Sequence, residues 1–172
     1  CSNLMLKIIH NSKPVIAEVN GVATAAGCQL VASCDLAYAS TNAKFATPGV
    51  NIGLFCSTPM VALSRAVKNK HSMEMLLTGD LIKAEKAIEI GLINNIFINK
   101  DLTKEVNLIA ELISKKSSLT LKVGKKAFYE QSGMKIVEAY KYASEVMIKN
   151  MMEAESEEGI SAFIEKRKPN WS

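Results

Sequence analysis

Residues 21–30, GVATAAGCQL, restrict the possible folds more than any other segment of the chain. Five of these ten positions are glycine or alanine, and the segment carries a single amide side chain, that of Gln29. Side chains this small let a helix pack closely against a strand, and they also let a ligand approach the backbone. The residues alone leave both interpretations open, and the choice between them decides the function.

The composition indicates a globular chain. Its 172 residues are enough for one domain, which at this size buries roughly 70% of the surface of the unfolded chain. No apolar run approaches the ~20 residues that span a bilayer, so we expect no membrane span. The net charge of +4 is too small to indicate nucleic-acid binding, and it suits anionic small molecules.

The four cysteines show no metal-binding or redox spacing. They form no C-x-x-C pair and no cluster with histidine, so we expect no metal site and reduced, mostly buried thiols in an intracellular compartment. The chain begins at Cys1 within an apparent helix, which leads us to expect an N-terminal truncation. The cysteines are Cys1, Cys28, Cys34 and Cys56.

Hydrophobic patterning predicts a mixed α/β segment over residues 1–100. Alternation in PVIAEVN predicts a strand, and the following Asn20-Gly21 predicts a turn. Further predictions are a helix over 24–34, extended segments over 35–40 and 43–48, a loop over 49–59, helices over 60–67, 71–78 and 83–90, and a strand over 93–98.

Residues 101–172 are predicted to be all helical. Apolar residues at helical spacing predict helices over 102–116, 119–131 and 134–152, and a fourth helix that Pro169 ends. The stripe on the third helix is Ile136, Tyr140, Ala143, Met147 and Met151.

Several separated motifs together resemble the enoyl-CoA hydratase/isomerase, or crotonase, superfamily. They are KPVIAEVNG, the Gly/Ala-rich segment, CDLAYAS, AKFATP, TGDLIKAEKAIEIGL and EGISAFIEKRKP. The resemblance runs from about Pro14 to Pro169 and implies the C-terminal portion of a crotonase-like ββα spiral over residues 1–100. It further implies that residues 101–172 form a helical region for trimerisation and for covering coenzyme A. The first ββα units, with one of the two oxyanion-hole amides, would precede residue 1.

The resemblance assigns the second oxyanion-hole amide to Ala26, with Gly27 beside it. This backbone N–H would bind the thioester oxygen as that oxygen gains charge, at a helix start whose dipole favours negative charge. The two catalytic glutamates of family hydratases fall at Gln29 and Gly49. Because an amide transfers no proton at neutral pH and glycine has no side chain, ordinary hydration is not expected; one lost acid–base group alone costs roughly 10²- to 10⁴-fold in rate.

Other candidate groups lie in the segment GLFCSTP. The resemblance places Ser57 where some dienoyl-CoA isomerases carry aspartate. Cys56 is either the nucleophile of a thioesterase-like reaction or a small buried hydrophobic residue. Glu18 is expected to face solvent, and Asp35 is expected to be structural.

The basic tail supplies the last candidates. Lys166 and Lys168, with Arg167 between them, would meet coenzyme A phosphates according to the resemblance, although a solvated charged surface is the simpler interpretation. The expected ligand is an acyl-CoA with no separate cofactor, and the expected assembly is a homotrimer or hexamer. A mitochondrial location is implied by the resemblance, with a cytoplasmic one as the alternative.

Three classes of function remain open. The first is an acyl-CoA-binding protein of fatty-acid metabolism whose hydratase glutamates are replaced. The second is an enzyme of different acyl-CoA chemistry, such as an isomerase, decarboxylase or thioesterase. The third is a non-catalytic interaction protein on the same fold.

Overall fold

The computed structural model describes residues 1–171. The chain divides into two compact units: the first comprises residues 1–11 and 15–110, and the second comprises residues 12–14 and the chain from Glu111 onward. The division falls within a helix, and the predicted domain boundary at residue 100 stays a prediction. None of the helices in the described part of the chain is both long enough and apolar enough to cross a membrane.

The strands of the first unit form two small sheets of three strands each. The strands are β1 (Ile16–Val19), β2 (Val22–Thr24), β3 (Leu36–Ser40), β4 (Lys44–Ala46), β5 (Ile82–Lys83) and β6 (Asn95–Phe97). One sheet has the order β1-β3-β6 with parallel pairs. The other has the order β2-β4-β5, in which β2 and β4 are parallel and β4 and β5 antiparallel.

Helices follow these strands in repeated units. They are α1 (Ser2–Ile9), α2 (Ala26–Ser33), α3 (Ser57–Ala66), α4 (Asn69–Thr78), α5 (Ala84–Glu89), α6 (Leu102–Ser114), α7 (Ser118–Gln131), α8 (Ile136–Met151) and α9 (Ala154–Ile164), with a 3₁₀ helix over Pro48–Ile52. Because β1-β2-α2 and β3-β4-α3 each give one strand to each sheet, the predicted α/β class and ββα arrangement are confirmed.

The core of the first unit lies between the strands and α2 to α5. Four of the five residues of β3 are buried, as expected for the central strand of a parallel sheet. Phe45, Leu63 and Leu76 are almost completely buried, and each such side chain contributes roughly 1.5–3 kcal/mol through removal of apolar surface from water. A second cluster packs Leu102 and Val106 of α6 against Tyr38.

Two predictions about the first unit were wrong. Thr24 belongs to β2, and α2 begins only at Ala26, because pairing with β4 makes a strand of three residues that has no local hydrophobic pattern. The predicted loop over 49–59 contains most of the 3₁₀ helix, and α3 begins at Ser57, so Ser57 lies at a helix start rather than in a loop.

Every described element from Leu102 to Ile164 is an α-helix. The prediction that the last helix ends at Pro169 was wrong, because α9 ends at Ile164, and Lys166 already has a left-handed φ of 56°. The predicted stripe on α8 is largely exposed, and the only buried residue of α8 is Ala139.

Candidate functional site

The start of α2 is held against the end of β4. The Ala25 N–H donates to the Ala46 carbonyl at 3.0 Å, next to the Thr24–Ala46 pair of the sheet. Ala25 has φ 50° and ψ −112°, a conformation that costs a residue with a side chain about 1–3 kcal/mol. This bend turns the chain from strand to helix within one residue.

Ala26 is the first residue of α2, and it is exposed. No residue of the described chain accepts a hydrogen bond from its N–H, as is usual for the first amides of a helix. Gly27 is also exposed, and a Cβ placed there would make only ordinary contact with Ala23, at 3.8 Å. The helix start therefore presents a backbone donor among small side chains.

Gln29 lies one turn further along α2 and is only 4% exposed. Its Oε1 is buried without a hydrogen-bond partner among the described residues. A buried polar atom left unpaired costs about 1–3 kcal/mol, so such atoms are usually satisfied by water or a ligand. The amide of Gln29 is therefore a polar group near Ala26 that needs an external partner.

Position 49 has no room for a side chain. A Cβ on Gly49 would lie 2.5 Å from the Leu54 carbonyl oxygen and 2.9 Å from the Cys56 Sγ. Gly49 is not among the described residues with positive φ, so space rather than backbone conformation excludes larger residues here. A carboxylate at this position would require the backbone at Leu54 to move.

The thiol of Cys56 lies beside Gly49. The Gly49 N–H donates to its Sγ at 3.3 Å, and Cys56 precedes the first residue of α3. Burial, and to a lesser extent the neighbouring Cys56, raises the pKa of Cys28 to about 12, so Cys28 is a protonated and unreactive thiol. The hydroxyl of Ser57 donates to the Phe55 carbonyl at 3.3 Å and is exposed.

These contacts bring the site residues of the first unit into one neighbourhood. α2 packs against α3, Cys56 directly precedes α3, and Cys56 is hydrogen-bonded to Gly49. The arrangement supplies a free backbone donor, a neutral amide and a thiol. It can stabilise negative charge and hold a polar group, but it offers no carboxylate at either predicted position.

The whole chain, residues 1–172, matches the family described as enoyl-CoA hydratase/isomerase. The chain belongs to this family. A relative from Xenopus laevis, named enoyl-CoA hydratase domain-containing protein 3, mitochondrial, is 51% identical over the whole chain. The chain spans 58% of the length of that relative.

Solved structures of the enoyl-CoA hydratase/isomerase family share the fold. The crystal structure of enoyl-CoA hydratase from Mycobacterium smegmatis has a TM-score of 0.97 and 48% identity, and the match covers 99% of this chain and 66% of that one. The structure of human enoyl Coenzyme A hydratase domain-containing protein 3 has a TM-score of 0.96 and 49% identity, covering 99% and 68% of the two chains. The resemblance seen in the sequence is confirmed.

A groove on the first unit is lined by residues other than the predicted site residues. It has a volume of about 590 Å³, and β1 and its flanking residues form much of its lining. Ala26, Gln29, Gly49 and Cys56 do not line it. Glu18 does, and its carboxylate accepts a hydrogen bond from the Thr103 hydroxyl at 2.6 Å.

Asp35 makes a structural contact, as the sequence led us to expect. Asp35 accepts a hydrogen bond from the Val15 N–H at 2.6 Å, which joins the start of β3 to the residue before β1. Among the described residues no group of three His, Cys, Asp or Glu side chains is placed to hold a metal ion.

The basic tail lies in the second unit. Lys166 and Lys168 are exposed, whereas Arg167 pairs with Glu158 and Glu165. Sequence analysis missed Glu158 because its partner lies nine positions away, outside the spacing at which residues of one helix face each other.

Proposed function

We propose that the full-length protein binds acyl-CoA, with the thioester oxygen at the Ala26 N–H, and that it does not hydrate enoyl-CoA. The observation that carries this proposal is the buried amide of Gln29, whose Oε1 has no hydrogen-bond partner among residues 1–171. It lies one helical turn after the Ala26 N–H, which has no acceptor among the same residues. A ligand or an ordered water would satisfy both groups.

The chemistry of the site follows from its neutral groups. The Ala26 N–H and the positive end of the α2 dipole would stabilise charge on the thioester oxygen. Gln29 would orient a water or a polar group of the ligand, but it accepts no proton. Since Gly49 has no space for a carboxylate, we expect no measurable hydration of crotonyl-CoA.

Several wider features of the proposal rest on the family. The relative from Xenopus laevis is named as mitochondrial, which supports a mitochondrial location, and the match to the enoyl-CoA hydratase/isomerase family supports a role in acyl-CoA metabolism. We propose that residues 101–172 form a helical region for assembly into a homotrimer or hexamer and for covering coenzyme A. Gly27, Cys56 and Ser57 are proposed to line the acyl-CoA site, and Lys166 and Lys168 to meet the phosphates of coenzyme A.

The test removes one backbone donor. Proline at position 26 deletes the N–H and is tolerated at the first position of a helix. A proline at position 26 restricts the backbone of residue 25 and disfavours the ψ of −112° that Ala25 has. Glycine at position 25 relieves this restriction, so the double variant Ala25→Gly, Ala26→Pro is compared with Ala25→Gly alone. Calorimetric titration should show that an enolate-like acyl-CoA analogue loses far more affinity than the simple thioester.

Two results would count against this role of Ala26. Equal losses for both ligands would indicate a general disturbance of the fold. An unchanged affinity for the enolate-like analogue would show that the Ala26 N–H does not contact the thioester oxygen. Robust hydration of crotonyl-CoA by the wild-type protein would contradict the proposal that the site lacks its acids.

A thiol-dependent acyl transfer is the second candidate, because the Cys56 Sγ lies where a side chain of residue 49 would begin. The Cys56 sulfur would attack the thioester carbonyl, coenzyme A would leave with the thiol proton, and water would hydrolyse the acyl-cysteine. Mass spectrometry after mixing with acyl-CoA should then detect acylation of the wild-type protein. The Cys56→Ser variant should not be acylated, whereas the Cys28→Ser variant should be.

A further inference from the structure

Three buried side-chain oxygens have no hydrogen-bond partner within residues 1–171, namely Gln29 Oε1, Ser40 Oγ and Thr47 Oγ1. Ser40 and Thr47 are completely inaccessible to solvent, and Gln29 is almost completely buried. Buried polar atoms in folded proteins are nearly always paired, because an unpaired one has lost its bonds to water without replacing them. Each of these oxygens therefore calls for a partner, and two of them lie in the same part of the first unit.

The hydroxyl of Thr47 is not used by its own segment of the chain. Thr47 directly precedes the 3₁₀ helix, where a threonine commonly accepts a backbone N–H of the first helical turn. In the described structure its side chain accepts no such bond, and the Gly49 N–H donates to the Cys56 Sγ at 3.3 Å instead. Because a hydroxyl can both donate and accept, Thr47 can bind a group from elsewhere in the core.

Two backbone hydrogen bonds link the neighbourhood of Thr47 to the first turn of α2. The Ala25 N–H donates at 3.0 Å to the carbonyl of Ala46, the residue before Thr47. The Gln29 N–H donates to the Ala25 carbonyl, also at 3.0 Å. Gln29 and Thr47 therefore lie on the two sides of the bend at Ala25, and both belong to the first unit.

The pairing of β2 with β4 gives the direction of the Thr47 side chain. Phe45 pairs with Ala23, and Ala23 faces α2, since a Cβ at Gly27 would lie 3.8 Å from the Ala23 Cβ. Side chains two positions apart in an extended chain share a face, so Thr47 is directed to the same side as Phe45. This is the side of the sheet on which α2 carries the buried Gln29.

We propose that Gln29 Oε1 and Thr47 Oγ1 share one buried water, and that Thr47 acts through this water as a positioning residue for the Gln29 amide. The water donates a hydrogen bond to Oε1 and forms a second one with the Thr47 hydroxyl, so both oxygens are satisfied. Because Thr47 is fully buried, a ligand that enters from solvent meets Gln29 and not Thr47. The positioning role rests on the proposed acyl-CoA binding, whereas the water bridge does not.

A fixed Gln29 amide has a physical benefit for ligand binding. A glutamine side chain has several rotatable bonds, and ordering it when a ligand binds costs conformational entropy. If water and Thr47 already hold Oε1, this ordering occurs during folding. The NH₂ group of the amide is then presented to the ligand in one orientation, as a hydrogen-bond donor one turn after the Ala26 N–H.

A crystal structure of the full-length protein, at a resolution that shows ordered water, tests the bridge directly. We expect one water at roughly 2.5–3.0 Å from both Gln29 Oε1 and Thr47 Oγ1. A direct hydrogen bond between the two side chains would overturn the proposal, and so would two side chains with no water between them.

Thermal unfolding of full-length variants tests the same bridge by a double-mutant cycle. Thr47→Val removes the hydroxyl at nearly constant size, and Gln29→Met replaces the amide by an apolar side chain of similar length. Each change alone leaves the other oxygen without its bridge, and we expect each to lower Tm by roughly 2–4 °C. The double variant should lose clearly less than the sum of the two shifts, because it leaves neither oxygen unpaired.

Ser40→Ala provides the matched control for this cycle. Ser40 Oγ is as buried as Thr47 Oγ1 and is likewise unpaired within the described chain, but it lies at the end of β3 in the other sheet. The Tm shifts of Ser40→Ala and Gln29→Met should therefore add. If Thr47→Val does not fold, Thr47→Ala takes its place in every measurement.

Calorimetric titration with an acyl-CoA tests the positioning role. We expect Thr47→Val to weaken binding about 3- to 10-fold, the size expected when one flexible side chain must be ordered on binding. Thr47→Ser keeps the hydroxyl and should bind within about 2-fold of wild type. In the Gln29→Met protein, Thr47→Val should weaken binding by less than about 2-fold, because there is no amide left to position.

The results separate this inference from the proposed function. Additive Tm shifts for Thr47→Val and Gln29→Met would show that no bridge joins the two residues. Equal weakening of acyl-CoA binding by Thr47→Val with and without the Gln29 amide would show a merely structural role for Thr47. A wild-type protein that binds no acyl-CoA would remove the proposed function and the positioning role together, whereas coupled Tm shifts in that protein would still support the water bridge.

Discussion

Gly49 occupies a position where the backbone of Leu54 and the thiol of Cys56 fill the volume that a side chain would need. A side chain there must displace a carbonyl oxygen, which cannot swing aside as a flexible side chain can. For this reason we expect Gly49→Glu to distort this turn and not to restore hydration, even in combination with Gln29→Glu.

We predict that Gly49→Ala lowers the free energy of unfolding by roughly 1–3 kcal/mol, the usual cost of overpacking. Gly124→Ala is the control, because a Cβ at Gly124 meets nothing within 4 Å and the residue lies inside α7. That control should raise stability by about 0.5–1 kcal/mol through helix propensity. Urea unfolding of both variants tests whether the free energy of unfolding falls for Gly49→Ala and rises for Gly124→Ala. An unchanged free energy of unfolding for Gly49→Ala would contradict the packing described here.

Burial of Cys28 should make the free energy of unfolding fall as pH rises in the alkaline range. Its pKa in the folded chain is about 12, above the ordinary 9.0, so the unfolded chain loses the thiol proton first as pH rises. The stabilisation is complete below pH 9 and is lost between pH 9 and 12, with a limiting slope of about 1.4 kcal/mol per pH unit.

Urea unfolding between pH 8 and pH 10.5 measures this loss. Cys28→Ala should have a shallower fall in stability than wild type, because the buried thiol is gone. Cys1→Ala is the control, since Cys1 is exposed, and it should keep the wild-type slope. Identical slopes for the two variants would show that burial of Cys28 is not the cause.

Among the elements, α7 has a well-formed N-terminal cap. The Ser117 hydroxyl accepts the Thr120 N–H at 2.9 Å and also contacts the Glu155 carboxylate, and Ser117 is buried. Ser117→Ala should therefore cost about 1 kcal/mol and lower Tm by about 2–4 °C. Ser118→Ala, at the exposed first position of the same helix, should change Tm by less than about 1 °C, and thermal unfolding distinguishes the two.

At the scale of the whole molecule, the exposed surface of α8 bears on assembly. One face of α8 exposes large apolar side chains, with between 59% and 78% of each accessible. An apolar face of this kind is usual at protein interfaces. The residues are Ile136, Val137, Tyr140, Met147 and Met151.

We predict that the full-length protein sediments as a trimer or hexamer and that Tyr140→Glu shifts it to smaller species, because a charge in an apolar interface is costly to bury. Lys141→Glu, an exposed neighbour, should leave the assembly intact. A stable wild-type monomer at micromolar concentration would contradict the predicted assembly.

Local patterns in the sequence were enough to predict most elements and the family. The alternation in PVIAEVN and the apolar spacing of α6 are set by side chains a few positions apart, and such short-range periods are readable without a fold. The motifs that resemble the family likewise lie within short segments, so the sequence alone was sufficient to name Ala26 and Gln29 as site candidates.

Contacts between distant segments could not be read in this way. β2 is a strand because Val22–Thr24 pairs with β4, and Gly49 is confined by Leu54 and Cys56 of the following turn. The end of α9 depends on a left-handed Lys166, and Glu158 is paired only because Arg167 and Asn170, nine and twelve positions later, fold back onto it. Sequence patterns report which face of an element is apolar, whereas available space, backbone bends and ion-pair partners are decided only when the chain packs against itself.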